Sequence, residues 1–230
     1  SKESLNKVRD FNKNKRTLLK RTTHSKIAIS ELFQAYLFMQ RSEFDSSFSL
    51  YKLSELIEQF PSKRKLKEFL QTFPCSINPD LEDFLNNKAV TFEKHLRSRT
   101  YIYIDNQTKK VAAYFTIAIS TLHTEGISSE VIKMLDGYQD DTTSIPCFLI
   151  GQLGKSSEYQ YKKIGEYILE DAIEIIDNLH NAVGGRFILL DAINIPAVVT
   201  FYQNSLFFPI ETSDDAMSIK MIRPYFEEIE

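Results

Sequence analysis

The 230-residue chain has only two cysteines, Cys75 and Cys147, far apart in sequence and each next to a proline. That excludes a disulfide framework and argues against a zinc site, so the expected setting is the reducing cytoplasm. No apolar stretch approaches the length needed to cross a bilayer, and Ser1-Lys2-Glu3-Ser4 leads into charged and amide residues rather than an apolar signal segment. His24, His95 and His180 form no metal-ligand spacing with one another or with the cysteines, so no metal is expected. There is no G-x-S-x-G elbow, no Ser/His/Asp ordering and no complete P-loop. Tryptophan is absent, yet 17 Phe and 11 Tyr bring aromatics to 12%, enough burial area to make a folded chain the expectation. With 43% hydrophobic residues, one substantial core with a small appended piece is expected.

Net charge is −3, but it is unevenly distributed. Residues 1–26 hold nine Lys/Arg against Glu3 and Asp10, a local +7, which leaves −10 on the rest of the chain. Such a basic arm is either a solvated leader or a phosphate-seeking segment for nucleic acid.

Hydrophobic periodicity organises the remainder. Residues 25–40 read as a helix with a wide apolar stripe, and 44–53 as a loosely alternating strand. Ser54 is a candidate N-cap for a short helix ended by Pro61, residues 62–73 form a second helix, and Pro79 or Asp80 opens a third running through Phe92. Thr100–Ile104, a turn at Asp105–Thr108, and Val111–Ser120 give a strand–turn–strand signal. A looser segment with a brief helix around Val131, Ile132 and Leu135 follows. Ile145–Leu153 is a near-continuous apolar run, as in a strand covered on both faces. After a polar loop, Ile164, Ile168, Ala172, Ile175, Ile176 and Leu179 form the stripe of an amphipathic helix, and Phe187–Leu190 begins another buried strand. Strand, helix and strand at that spacing make a βαβ unit. Pro196 opens a further helix to Asn204, and Met217–Ile222 is a last short strand.

The loop entering the amphipathic helix is where chemistry is expected, because unpaired N–H groups and the positive helix end converge there on an anion. The run Leu153-Gly154-Lys155-Ser156-Ser157-Glu158-Tyr159-Gln160-Tyr161-Lys162-Lys163-Ile164-Gly165 resembles the acetyl-CoA loop of the GNAT acetyltransferases, Q/R-x-x-G-x-G/A. Gln160 and Gly165 match its ends, while Lys163 stands at its middle glycine, a substitution that requires Lys163 to keep a negative φ. Asp191-Ala192-Ile193-Asn194 through Phe201-Tyr202-Gln203-Asn204-Ser205-Leu206-Phe207 is similar to the closing motif, Phe-Tyr-x-x-x-Gly-Phe, with Leu206 in place of the glycine. Residues Phe73 to Leu85, with Ala89 and Ser98-Arg99-Thr100-Tyr101, resemble a narrower branch, the acetyltransferase toxins of bacterial toxin–antitoxin pairs, which acetylate aminoacyl-tRNA. The resemblance spans about Phe60 to Arg223, and residues 1–50 have no counterpart in it.

The resemblance implies an α/β fold with a mixed, mostly antiparallel sheet splayed at the acetyl-CoA strand, and a helical extension over residues 1–50 before an acetyltransferase domain over 51–230. It implies an N-acetyltransferase with acetyl-CoA as acyl donor and a primary amine as acceptor, aminoacyl-tRNA being one candidate. Leu153, Gly154, Lys155, Gln160, Tyr161, Lys162, Lys163, Ile164, Gly165 and Asn194 would hold the donor, with a strand N–H near Leu153 on the thioester oxygen. Tyr202 would protonate the leaving thiolate; from composition alone it reads as a core aromatic. Implied partners are tRNA, an antitoxin-like protein and a second copy of the chain, with no membrane. Candidate bases are His123, Glu125, Asp140, Asp141 and Glu158. A GNAT-fold binding module that has lost turnover is the alternative.

Overall fold

The computed structural model describes residues 39–160, 163–210 and 217–226. The expected helix at 25–40, apart from its last two residues, and the basic arm lie outside them. So do Tyr161 and Lys162. The described residues belong to one unit beginning at Met39.

Helix α1 (Arg41–Ser47) runs directly into strand β1 (Phe48–Lys52), where the sequence suggested one strand over 44–53. The reason is the four-residue spacing of Phe44 and Phe48. Both are buried with ring centroids 5.2 Å apart, and the Glu43 carboxylate accepts the Gln40 N–H at 2.9 Å to fix the first turn. β1 pairs antiparallel with β2, so the division expected at residue 50 falls inside a strand of the sheet. Helix α2 (Leu53–Gln59) starts one residue before the expected cap, with Lys52 as N-cap and Glu55 closing back on the Lys52 N–H. Helix α3 (Lys63–Leu70) lies within the expected stretch 62–73 and is capped by Ser62, whose side chain accepts the Lys65 N–H. Helix α4 (Pro79–Asp83), a π-helical turn (Phe84–Lys88) and helix α5 (Ala89–Lys94) make up the third helical stretch.

Strands β2 (Arg99–Asp105) and β3 (Val111–His123) form the expected hairpin, and helix α6 (Ser129–Asp136) interrupts the path to β4 (Ser144–Lys155). Helix α7 (Ile164–Val183), β5 (Phe187–Ile193), helix α8 (Pro196–Asn204), the two-residue β6 (Phe208–Pro209) and β7 (Ser218–Pro224) complete the chain. The sheet order is β1-β2-β3-β4-β5-β7-β6, and among the described residues only β4 and β5 run parallel.

Three apolar clusters hold these layers. One lies on the α7 face, where Ile164, Ile168, Leu169, Ala172 and Ile176 meet Phe115, Ile117, Phe148 and Ile150. Each of the large aliphatic side chains contributes about 1.5–3 kcal/mol by leaving water. A second joins α2, α3 and the π turn to Ile102, Val111 and Tyr114. A third closes the far end of the β3–β4 hairpin against β5 and β7. β4 is thus covered on both faces, which accounts for its unbroken apolar run. Cys75 and Cys147 are free, buried in different clusters, and burial pushes both thiols up, Cys147 to about 11.

Candidate functional site

The parallel pair β4–β5 is held at only two positions, Phe148↔Ile188 and Leu149↔Leu189. Beyond them β4 runs on to Lys155 paired with β3 alone, and β5 runs on to Ile193 paired with β7 alone. The cause of this splay is local. The register passes from Thr116↔Gln152 to Ile117↔Ile150, so Gly151 is an extra residue in β4. A bulge of this kind bends its strand away from its neighbour. A Cβ on Gly151 would sit 3.1 Å from Thr116 Oγ1, so the site is tight for any larger residue. Gly151 was not singled out from the sequence, although a glycine inside an apolar strand run signals a bulge.

The expected site residues distribute around this opening. Leu153, Gly154 and Lys155 lie at the end of β4, still within the strand rather than in the loop. Leu153 packs against the α7-face cluster. Gly154 is buried, and a Cβ there would meet Leu81, Phe73 and Tyr114 at 3.2–3.3 Å; its small size lets α4 lie against β4. Lys155 is half-buried, and desolvation lowers its pKa.

The loop then anchors itself firmly. Ser157 N–H donates to Pro74 O at 2.8 Å, Lys110 pairs with Glu158 at 2.9 Å, and Tyr159 OH donates to Asp105 at 2.7 Å. Burial and that carboxylate push Tyr159 up to about 12. Gln160 is exposed. Lys163 is the N-cap of α7 with φ −94, so the lysine sits at the motif's middle position without the left-handed backbone that would call for glycine. Its carbonyl accepts Tyr167 N–H at 3.1 Å, opening a 20-residue helix whose first N–H groups have no intrahelical partner. Ile164 is fully buried and fixes the helix on the sheet. Gly165 faces Phe201: a Cβ would lie 3.5 Å from that ring.

Phe201 therefore ties α8 to the first turn of α7, and Tyr202 is the next residue. Tyr202 is 9% exposed, its ring 4.9 Å from Phe201 and 5.9 Å from Phe207, and its hydroxyl makes no hydrogen bond among the described residues. Desolvation pushes it up to about 12, so it holds its proton at neutral pH. Asn194 follows β5 directly, exposed, with its N–H on Met217 O at 3.0 Å. Leu206, at the motif's last glycine, has φ 66, the left-handed conformation that glycine adopts without strain.

The splayed C-terminal ends of parallel β4 and β5, with the N-termini of α7 and α8 beside them, form the kind of crevice where α/β sheets take phosphorylated ligands. The residues present fit the pyrophosphate-bearing donor in three respects. The N-terminus of α7 carries the positive end of a 20-residue helix, Lys163 leaves its backbone in the helical region, and Gly165 offers no side chain. The candidate bases do not gather there. His123 ends β3 opposite Ser144, nine residues of β4 from Leu153, or about 30 Å along the strand. Glu125, Asp140 and Asp141 lie in the connection beyond that same end, and Glu158 is engaged by Lys110.

This α/β architecture is the GNAT-like fold that the residues resembled. No family model and no curated protein matches the sequence. Solved structures match over 77% of the chain. They include a bacterial toxin at 20% identity and TM-score 0.59 over 89% of its length. AtaT complexed with acetyl-methionyl-tRNAfMet matches at 20% identity and TM-score 0.58 over 94%. AtaTR bound with acetyl-CoA matches at 19% identity and TM-score 0.56 over 94%. At these identities the likeness is one of fold. Among the described residues no helix is long and apolar enough to cross a membrane.

Proposed function

We propose that the chain is an N-acetyltransferase that takes its acetyl group from acetyl-CoA and delivers it to a primary amine, with the amino group of aminoacyl-tRNA as acceptor. The observation that carries this reading is the N-terminus of α7 at Lys163–Gly165, set beside the splayed end of β4 with Tyr202 one residue from the Phe201–Gly165 contact. Amides from Gln160 to Gly165 hold the pyrophosphate, with Tyr161 and Lys162 inside that stretch, and Asn194 borders the crevice. The freed edge of β4 near Leu153 offers an N–H to the thioester oxygen. Tyr202, protonated, donates to the sulfur as negative charge develops there. The acceptor assignment draws on the solved AtaT complex and on the +7 of residues 1–26, which suits a phosphate backbone.

The test is acetyl transfer from labelled acetyl-CoA to aminoacyl-tRNA, polyamines and peptide amines, followed by free-thiol release. Label on the amino acid of aminoacyl-tRNA supports the full reading, and label on another amine keeps the activity but changes the acceptor. Acetyl-CoA binding without thiol release from any acceptor would favour a binding module instead.

A further inference from the structure

β3 is longer than the strand beside it. β2 pairs with it only from Val111 to Ile117, whereas β4 pairs with it to His123. The six residues Ala118–His123 therefore present one row of backbone groups with no strand partner among the described residues. Sheets usually blunt such edges with short strands, charge or proline. The two outer strands of this sheet conform: β1 is five residues ending in Lys52, and β6 is two residues ending in Pro209. Ala118-Ile119-Ser120-Thr121-Leu122-His123 has neither Lys, Arg, Asp, Glu nor Pro, and Ile119 is 82% exposed.

A cavity of about 240 Å³ opens at the root of this edge, lined by Leu96, Arg97, Ser98, Ile119, Phe148 and Leu179. Leu96 is 73% exposed, and Ser98 Oγ is buried without a hydrogen-bond partner. Two cations flank the opening. Arg97 lies over the Phe92 ring and makes no ion pair among the described residues, while Arg99 is shared with the buried Glu93.

We propose that this edge receives an extended acidic segment of another protein by strand addition, with one apolar side chain seated in the cavity beside Ile119. Backbone groups of Ala118–His123 supply the hydrogen bonds, the cavity selects the apolar residue, and Arg97 and Arg99 select for carboxylates. A second copy of this chain fits less well. Residues 119, 121 and 123 share a face, so the two antiparallel registers that pair five of the six residues would set Thr121 or His123 of the copy beside Ile119 and leave the apolar cavity unfilled, while the register that sets Ile119 beside Ile119 pairs only residues 118–120.

The inference is independent of acetyl transfer and is tested without it. Random linear peptides are selected against the immobilised full chain, the recovered peptides are titrated by fluorescence anisotropy, and oligomeric state is read by light scattering. The expected peptides alternate apolar residues with others and carry net negative charge. Ile119→Lys and Arg97→Glu, both at exposed positions and checked by melting curves, should each weaken them by about tenfold or more. Absence of enriched peptides, or equal binding to folded Ile119→Lys, would overturn the proposal. A wild-type dimer that Ile119→Lys converts to monomer would overturn it in favour of a second copy.

Discussion

Removing one oxygen atom tests the chemistry assigned to Tyr202. Tyr202→Phe keeps a ring that packs on Phe201 and Phe207, and the lost hydroxyl has no hydrogen-bond partner among the described residues. Folding stability should therefore change by no more than about 0.5 kcal/mol. The catalytic effect follows from the raised pKa. A phenol at about 12 facing a thiol whose ordinary value is about 8.5 would surrender its proton uphill by roughly 3.5 units, about 5 kcal/mol. In the proposed mechanism Tyr202 would thus act by hydrogen bonding to developing charge and not by complete transfer, which places its contribution at the lower end for a positioned acid, about 10²-fold or 2.7 kcal/mol. The assay is single-turnover thiol release at saturating acetyl-CoA, beside a melting curve and a calorimetric titration. The expected outcome is a rate reduced about 10²-fold with donor affinity nearly unchanged. A folded Tyr202→Phe protein with the wild-type single-turnover rate would refute the assignment.

Deleting residues 1–26 should weaken tRNA binding and flatten its dependence on salt while leaving acetyl-CoA affinity intact; equal binding by both forms in a salt series would reduce the arm to a solvated leader. Gly185→Ala should destabilise the fold by about 2 kcal/mol or more in urea titrations, because Gly185 sits at φ 132 and a Cβ would lie 2.6 Å from the buried Phe148 ring. Stability should fall above pH 10: burial raises Tyr103, Tyr114 and Tyr202, so the folded chain keeps protons that the unfolded chain loses. That contribution is fully present below about pH 10 and is lost as pH rises toward 12, at up to about 1.4 kcal/mol per unit for each fully buried tyrosine; a urea midpoint constant from pH 7 to 11 would contradict it.

The elements that bury one continuous stripe were legible in the sequence. β4 announced itself by an apolar run covered on both faces, and α7 by a stripe at helical spacing ending at Asn181 to Gly185. The α1–β1 boundary was not, because Phe44 and Phe48 satisfy a helical spacing while reading loosely as a strand. The end of β4 was placed two residues early, since Gly154 looks like loop punctuation but is demanded by the close approach of Leu81 and Phe73. The candidate bases failed for a geometric reason. His123, Glu125, Asp140 and Asp141 lie toward the other end of β4 from Leu153, a separation that pairing sets and local composition does not, while Glu158 is engaged by Lys110. Conversely, the backbone answers the two glycine substitutions differently. Lys163 needs no glycine, whereas Leu206 occupies a glycine conformation.

The proposed seat of the acetyl-CoA pyrophosphate on the first turn of α7 is tested most directly by one calorimetric comparison. Gly165 has room for a methyl group, because a Cβ would make ordinary contact with Phe201 at 3.5 Å, so Gly165→Ala serves as the folded reference. Branching at Gly165→Val adds bulk where the backbone must approach the phosphates. Acetyl-CoA should bind the wild-type chain, with Gly165→Val weakening that binding by about 2 kcal/mol or more, some 30-fold in Kd, while its melting temperature stays near that of Gly165→Ala. A folded Gly165→Val protein that binds acetyl-CoA as tightly as the wild type would contradict the account.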